Sequence, residues 1–178
     1  MEKGYVQFLS GTAFPLFGLQ PSLGRLFTAE DDLTPGANPY AVLSHNYWSR
    51  RFASDPAVLG RTVHIGGKVF QIIGVGPVSF TGTEPGAITD IFLPAAMNPD
   101  VAREDNRWLR TLAIVRPGVS LEPLRARLNA VSLQFETERA KGFAGMSPHN
   151  IELFLQRKLL LQPAAAGVSR LQDDYRRP

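Results

Sequence analysis

Apolar side chains recur along this chain with two different periods, and the stronger signal has the period of a helix. One set is spaced by three and four residues, which places it on one face of an α-helix. Its members are Leu121, Leu124, Leu128, Val131 and Phe135. Ser120 precedes the set as an N-cap residue, and Gly142 follows it as a stop. The pattern predicts a helix from about residue 121 to residue 141.

The second period is that of a β-strand, and it predicts a hairpin. Residues 61–65 and 68–74 are rich in β-branched and apolar side chains. They are joined by Gly66 and Gly67 alone. Glycine tolerates the positive φ that a tight two-residue turn requires, so the two runs are expected to pair antiparallel.

Further short apolar runs complete the predicted order of elements. A helix over 45–52 is predicted behind the capping residue Ser44. Strands are predicted at residues 5–9, 40–43, 90–94, 107–116, 151–155 and 158–162. This mixed order, which ends in strand–helix–strand, favours an α+β fold over a doubly wound parallel sheet.

Composition limits the classes of protein that the chain can represent. Its 178 residues predict one domain, or one domain with an inserted lobe. Cysteine is absent, which excludes thiol chemistry and disulfide bonds. No run approaches the roughly 18 apolar residues of a membrane helix, and no signal peptide is visible. The net charge of +3 lies in the second half without a dense basic stripe, so nucleic acid is not predicted as a partner.

A search for catalytic and metal-binding motifs finds no constellation. The histidines His45, His64 and His149 are far apart and lack the spacings of metal ligands. No serine lies in a G-x-S-x-G motif, and none of the four lysines lies in a phosphate-binding loop. We therefore predict no catalytic, cofactor-binding or metal-binding residues, and no cofactor.

Acidic residues are the remaining candidates for chemistry. The acidic run at residues 30–32 suits the start of a solvated helix, because carboxylates there interact favourably with the helix dipole. Asp90 adjoins an apolar strand and is a candidate buried partner for Arg107 or Arg110. Neither position has the pattern of a calcium loop.

The two tryptophans are the largest apolar side chains of the chain. We predict that Trp48 and Trp108 lie in the core. The alternative for either ring is a place in a partner interface.

These motifs, taken in order, resemble one family, that of the MacB-like periplasmic core domain. The first carries the sequence FPLFGLQPSLGRLF and is followed by the acidic run. The series occupies residues 14–27, 30–32, 41–44, 47–52, 55–62, 70–75, 80–84, 90–94 and 116–120. Each piece is weak alone, but the ordered series covers nearly the whole chain. The variant is most similar to the acidobacterial duplicated orphan permeases, which are of the FtsX-like type.

The resemblance implies an architecture. The fold expected is α+β, with a porter-like βαβ lobe on a mixed or antiparallel sheet and a smaller inserted lobe. Residues 1–178 would form one such domain that is incomplete at its N-terminus. Residues 77–106 would contribute to the smaller lobe, 107–162 would be the porter-like strand–helix–strand half, and 168–178 would be a membrane-proximal tail.

The resemblance also implies a function. The chain would be a non-catalytic extracytoplasmic domain of an ABC transporter permease, on the periplasmic face of the cell membrane. It would couple cytoplasmic ATP hydrolysis to export or mechanotransmission. The partners implied are the permease's own membrane helices and a separate ATP-binding subunit or domain, with a second permease copy or a periplasmic protein as further candidates. The alternatives are a free-standing module that binds a peptide or lipid, and a small enzyme.

Overall fold

The computed structural model describes residues 4–84, 86–103, 108–162 and 164. These residues divide into two compact units. Unit 1 contains the described residues up to Ala113, and unit 2 contains those from Ile114 onward.

Unit 1 holds the sheet and two short helices. Its strands are β1 (Val6–Leu9), β2 (Leu23–Gly24), β3 (Tyr40–Leu43), β4 (Thr62–Ile65), β5 (Lys68–Val75) and β6 (Ile91–Pro94). Its helices are α1 (Ala13–Leu16) and α2 (His45–Phe52), with 3-10 turns at Ala29–Asp32, Pro56–Val58 and Ala95–Met97. Unit 2 holds α3 (Leu121–Ala140) and α4 (Pro148–Leu155).

The six strands form one mixed sheet in the order β1-β6-β3-β5-β2, with β4 also paired to β5. β1 runs parallel to β6, and β3 runs parallel to β5. The pairs β3–β6, β4–β5 and β2–β5 are antiparallel. The mixed sheet confirms the predicted α+β class.

The central strands β3 and β6 are apolar at successive positions, so they direct apolar side chains to both faces of the sheet. Both faces are accordingly covered. One face, the α2 face, packs Ala41, Leu43, Tyr47, Val58, Phe70, Ile72, Val75, Ile91, Leu93 and Met97. The opposite face, the α1 face, packs Leu9, Ala13, Phe14, Leu26, Phe27, Val42 and Phe92. The alternation of Ile91, Phe92 and Leu93 between the two faces follows from the two-residue period of a strand.

Two glycines allow β2 to lie close against β5. A Cβ atom on Gly74 would meet the backbone of Arg25, and one on Gly24 would meet the carbonyl of Ile73. Gly24 also has φ +65°, a conformation that L side chains rarely adopt. These contacts explain why a glycine stands at each of the paired positions Gly24 and Gly74.

Several sequence predictions are confirmed in unit 1. Gly66 and Gly67 form the hairpin turn with φ values of 56° and 78°. Ser44 caps α2, and its Oγ accepts a hydrogen bond from the amide of Tyr47 at 3.3 Å. The strands predicted at 5–9, 40–43 and 90–94 appear as β1, β3 and β6.

The predictions of helices and strands that were wrong all lie after residue 106. Residues 108–116 of the strand predicted over 107–116 form no strand, and Arg107 lies outside the described residues. The strand predicted over 151–155 is instead the helix α4. Residues 158–162 form no strand either.

The start of α4 explains why it is a helix. Ser147 is its N-cap, and the Ser147 Oγ accepts a hydrogen bond from the amide of Asn150 at 3.3 Å. Pro148 follows at the first helical position, where its missing N–H costs nothing. The short apolar run that follows fits a helix or a strand equally well, and this cap decides between them.

α3 begins after Ser120, as predicted, and it carries apolar residues on two sides. One side contacts α4 and the segment that follows it. The ring of Phe154 lies 5.1 Å from that of Phe143, and the Arg139 guanidinium lies over the Phe154 ring at 5.1 Å. Among the described residues, no helix has both the length and the hydropathy needed to span a membrane.

Candidate functional site

Three carboxylates hold the loops of unit 1 onto its sheet, and we refer to Asp31, Asp32 and Asp90 as the carboxylate braces. Asp31 and Asp90 are buried, and Asp32 is half-buried. A buried carboxylate is unfavourable unless cations or N–H donors satisfy its oxygens. Where each of them finds those donors therefore shows what the residue does.

Asp31 accepts two hydrogen bonds from the guanidinium of Arg25. Arg25 Nη2 lies 2.9 Å from Asp31 Oδ1, and Nη1 contacts the other oxygen. That second oxygen also accepts the amide of Thr28 at 2.9 Å. The Arg25 hydrogen bonds hold the pKa of Asp31 below its ordinary value, although burial opposes the shift. The guanidinium lies over the ring of Tyr40, 5.2 Å from its centroid, which connects the Ala29–Asp32 turn to the start of β3.

Asp32 joins two loops that are distant in sequence. Its Oδ2 accepts the amide of Gly11 at 3.0 Å, and its Oδ1 accepts the amide of Ala96 at 2.6 Å. The carbonyl of Ala96 in turn accepts the amide of Gly36 at 2.9 Å. A Cβ on Gly11 would collide with the carbonyl of Thr28, so this close approach requires glycine.

Asp90 binds the start of β1 and the end of α2. Its Oδ2 accepts the amide of Tyr5 at 3.0 Å, and its Oδ1 lies 3.0 Å from Nη2 of Arg50. Its carbonyl accepts the amide of the helix cap Ser44 at 2.8 Å. Among the described residues, Asp90 therefore pairs with Arg50; the sequence had indicated Arg110 or Arg107, of which Arg107 lies outside the described residues.

A fourth contact holds the loop between β5 and β6 against β1. Gln7 Nε2 donates to Oγ1 of Thr83 at 2.7 Å, and Gln7 Oε1 accepts the amide of Thr83 at 3.2 Å. In the same loop, the ring of Phe80 stacks on Phe92 with centroids 5.2 Å apart. The loop therefore has one polar and one aromatic attachment to the edge half of the sheet.

The expectation for the acidic run holds for only one of its residues. Glu30 is exposed, as predicted, whereas Asp31 and Asp32 point inward and bind protein groups. A general acid or base must reach its substrate, and these carboxylates are occupied by arginine or backbone N–H groups. The described residues contain no group of three or more side chains able to hold a metal ion.

The two tryptophans lie in different surroundings in unit 1. Trp48 is partly buried against the α2 face, and its indole Nε1 donates to the carbonyl of Asp55 at 2.9 Å. Trp108 is half-buried and meets the ring of Phe8 on the edge strand β1, with centroids 6.3 Å apart.

Unit 2 contains an open groove with a volume of about 500 Å³. Four of its seven lining residues are polar, and the lining comprises Asn129, Ala130, Leu133, Leu155, Gln156, Arg157 and Lys158. A lipid-binding module would be favoured by a deep apolar pocket, whereas this groove is open and most of its lining residues are polar.

The braces lie on the same motifs that carried the family resemblance. Arg25 belongs to the first motif, Asp31 and Asp32 form most of the second, and Asp90 opens the strand motif at 90–94. The model of the family described as the MacB-like periplasmic core domain matches residues 2–131. The chain belongs to this family.

A solved member of the family has the same fold. The periplasmic region of MacB from Actinobacillus actinomycetemcomitans matches with a TM-score of 0.51 at 20% identity. The match covers 74% of this chain and 58% of that one, so this MacB-like chain spans less than two thirds of the MacB region.

A second solved structure is less similar to this chain. The extracellular domain of the noncanonic ABC-type transporter YknZ from Gram-positive bacteria matches with a TM-score of 0.40 at 20% identity. That match covers 51% of this chain and 42% of the other. No curated protein matches this MacB-like chain.

The sequence analysis did not identify the residues that the carboxylate braces bind. The MacB-like motifs were recognisable as a series, but their partners were not. Asp32 and Ala96 are 64 positions apart, and Arg50 and Asp90 are 40 positions apart. Gln7 and Thr83 gave no signal at all, because a lone glutamine and a lone threonine have no distinctive spacing.

Proposed function

We propose that this chain is a non-catalytic, extracytoplasmic domain of an ABC transporter permease. In this role it transmits the motion driven by cytoplasmic ATP hydrolysis to a substrate or partner across the membrane. Membership of the MacB-like periplasmic core domain family is the observation that carries the proposal.

The braces support a mechanical role. A domain that transmits displacement must move as a body, because a loop that yields absorbs the motion. Asp90 ties the start of β1 to α2, and Asp32 ties the loop before α1 to the turn after β6. Each of these links joins segments that are far apart in sequence, which opposes local opening of the sheet.

The partners proposed are membrane helices of the same permease and an ATP-binding subunit or domain. The chain has no loop of its own that could bind ATP in the P-loop manner, since none of its lysines lies in such a motif. Hydrolysis must therefore occur on another polypeptide segment.

Labelling with a thiol reagent tests the location, because the chain has no native cysteine. Leu33→Cys places a thiol at a side chain that is 74% exposed, whereas Val58→Cys places one in the core. We expect a membrane-impermeant maleimide to modify Leu33→Cys in intact spheroplasts and to modify Val58→Cys only after denaturation. Modification of Leu33→Cys only after lysis would contradict an extracytoplasmic position.

The same label tests coupling separately. In sealed membrane vesicles loaded with ATP, the rate of labelling at Leu33→Cys is expected to differ from the rate with a non-hydrolysable ATP analogue. Equal rates at this and other exposed positions would remove the coupling role and leave the location standing.

A further inference from the structure

The connection between β5 and β6 packs on the α1 face of the sheet, and we call its residues 77–84 the Phe80 strap. Phe80 is half-buried. Its ring stacks on that of Phe92 with centroids 5.2 Å apart, and it meets the rings of Phe14 and Phe17 at 5.8 Å each. Phe92 itself is fully buried. The strap therefore covers the centre of an aromatic cluster.

One side chain of the edge strand β1 fastens this strap. Gln7 lies beside Phe92 in the β1–β6 register, and it spends both ends of its amide on a single strap residue. Gln7 Nε2 donates to Oγ1 of Thr83 at 2.7 Å, and Gln7 Oε1 accepts the amide of Thr83 at 3.2 Å. Gly82 permits this approach, since its φ is +122° and a Cβ there would collide with Oγ1 of Thr89.

The strap differs from the neighbouring loops in the charge of its attachments. Asp32 holds the loop before α1 and the turn after β6, and Asp90 holds the end of α2. Among the described residues, only Gln7 binds the strap from another element by hydrogen bonds, and both of these bonds are neutral. Neutral hydrogen bonds are weaker than those made by a carboxylate, so the strap is the more easily released attachment.

The backbone hydrogen bonds of the strap do not tie it to the sheet. The amide of Phe80 donates to the carbonyl of Pro77, and the carbonyl of Thr81 accepts the amide of Thr89. Both bonds lie within the β5–β6 connection. Release of the strap therefore breaks no pairing between strands.

The two ends of the connection are fixed to the sheet. The amide of Gly76 donates to the last carbonyl of β3, and the amide of Asp90 donates to the carbonyl that precedes β1, both at 2.8 Å. We propose that the Phe80 strap is a latched segment that opens as a unit between these fixed ends. Gln7 is the latch, and opening exposes Phe92 to solvent while the sheet stays paired.

Native-state hydrogen exchange of the full chain tests the proposal. The amides of Phe80, Thr83 and Thr89 report on the strap. The amide of Ile72, which donates to the carbonyl preceding β4 at 2.8 Å, reports on the sheet. We expect the three strap amides to share one free energy of opening, below that of Ile72. Its urea dependence should lie between zero and that of Ile72, because opening exposes aromatic rings but leaves the sheet buried.

Removing the latch gives the decisive comparison. Gln7→Ala should speed the exchange of all three strap amides about tenfold or more, since it removes two hydrogen bonds. Thr83 alone loses its own acceptor, so faster exchange at Phe80 and Thr89 shows that Gln7 holds the strap as a whole. Gln71→Ala is the matched control, because it removes an exposed glutamine from the same sheet. It should leave the exchange of the strap amides unchanged.

A second pair of variants acts from the strap and leaves β1 intact. Thr83→Val removes the hydroxyl that accepts from Gln7 Nε2 and keeps the backbone amide. It should speed exchange at Phe80 and Thr89 by a smaller factor, about two- to tenfold. Thr81→Val alters an exposed threonine of the same strap and should not change these rates.

Three results would overturn the proposal. If the strap amides share the opening free energy and urea dependence of Ile72, the strap opens only when unit 1 unfolds. If each strap amide has its own free energy with no urea dependence, the segment frays residue by residue. If Gln7→Ala and Gln71→Ala have equal effects on the strap amides, Gln7 is not the latch. None of these results depends on whether the chain serves a permease.

Discussion

Replacing Asp32 by alanine should destabilise unit 1 substantially, although Asp32 is only half-buried. The change removes both acceptors of the amides of Gly11 and Ala96, at 3.0 and 2.6 Å. An amide left without a partner away from water costs about 1–3 kcal/mol. Because water can reach part of this site, we expect a combined loss of about 2–4 kcal/mol from the free energy of unfolding. That is a large fraction of the roughly 5–15 kcal/mol typical of a domain.

Urea denaturation followed by tryptophan fluorescence measures this loss. Both tryptophans, Trp48 and Trp108, belong to unit 1, so the signal reports on the unit that contains the brace. With an m-value of about 1–3 kcal/mol/M, the midpoint should fall by roughly 0.7 to 4 M at unchanged slope. Asp32→Asn should lose less, because the amide keeps one acceptor oxygen but turns an N–H group toward a donor.

Glu30→Gln is the matched control, since Glu30 is an exposed acid in the same 3-10 turn. Its free energy of unfolding should change by no more than an ordinary surface substitution causes, about 0.5 kcal/mol. The reasoning fails if Asp32→Ala and Glu30→Gln unfold at the same urea concentration. In that case water satisfies the two amides as well as the carboxylate does.

Two further predictions concern the α1 face and the Asp31 brace. Gly74→Ala should cost several-fold more stability than Gly76→Ala, because a Cβ at 74 meets the backbone of Arg25 while one at 76 meets only ordinary contacts. Thermal unfolding compares the two variants, and equal melting temperatures would contradict the close approach of β2 to β5. The pKa of Asp31 is lowered in the folded state, so its stabilising contribution is present above its unfolded pKa and disappears as pH falls through its folded pKa. Asp31→Asn should therefore flatten the acid side of a stability–pH profile, and parallel profiles for variant and parent would show that the brace contributes nothing.

Local signals in the sequence predicted local structure well. The Gly66-Gly67 hairpin, the Ser44 cap and the start of α3 at Ser120 each depend on a few neighbouring residues, and each is present. α4 was missed because its apolar residues satisfy two periods at once. Its cap at Ser147 was the signal that could have decided for a helix.

The binding partners of the carboxylate braces could not be predicted from such local signals. Asp31 resembles any exposed acid at a helix start, and only the folded chain brings Arg25 to it. Asp90 was recognised as a partner for an arginine, but Arg107 and Arg110 were the candidates named, and Arg50, with which it pairs, lies 40 positions earlier in the chain. The family motifs marked these positions as a series without showing what any of them binds.

The sequence by itself determined the α+β class, the turns and caps, and the family to which the chain belongs, because these depend on residue order and on contacts between near neighbours. The tertiary structure alone decided the strand order, the partners of the carboxylate braces and the side of α3 that α4 covers. Many of these contacts join residues that are far apart in the chain, such as Arg50 and Asp90 at 40 positions and Asp32 and Ala96 at 64. Such pairs form only when the sheet has brought their backbones together, so no local pattern specifies them.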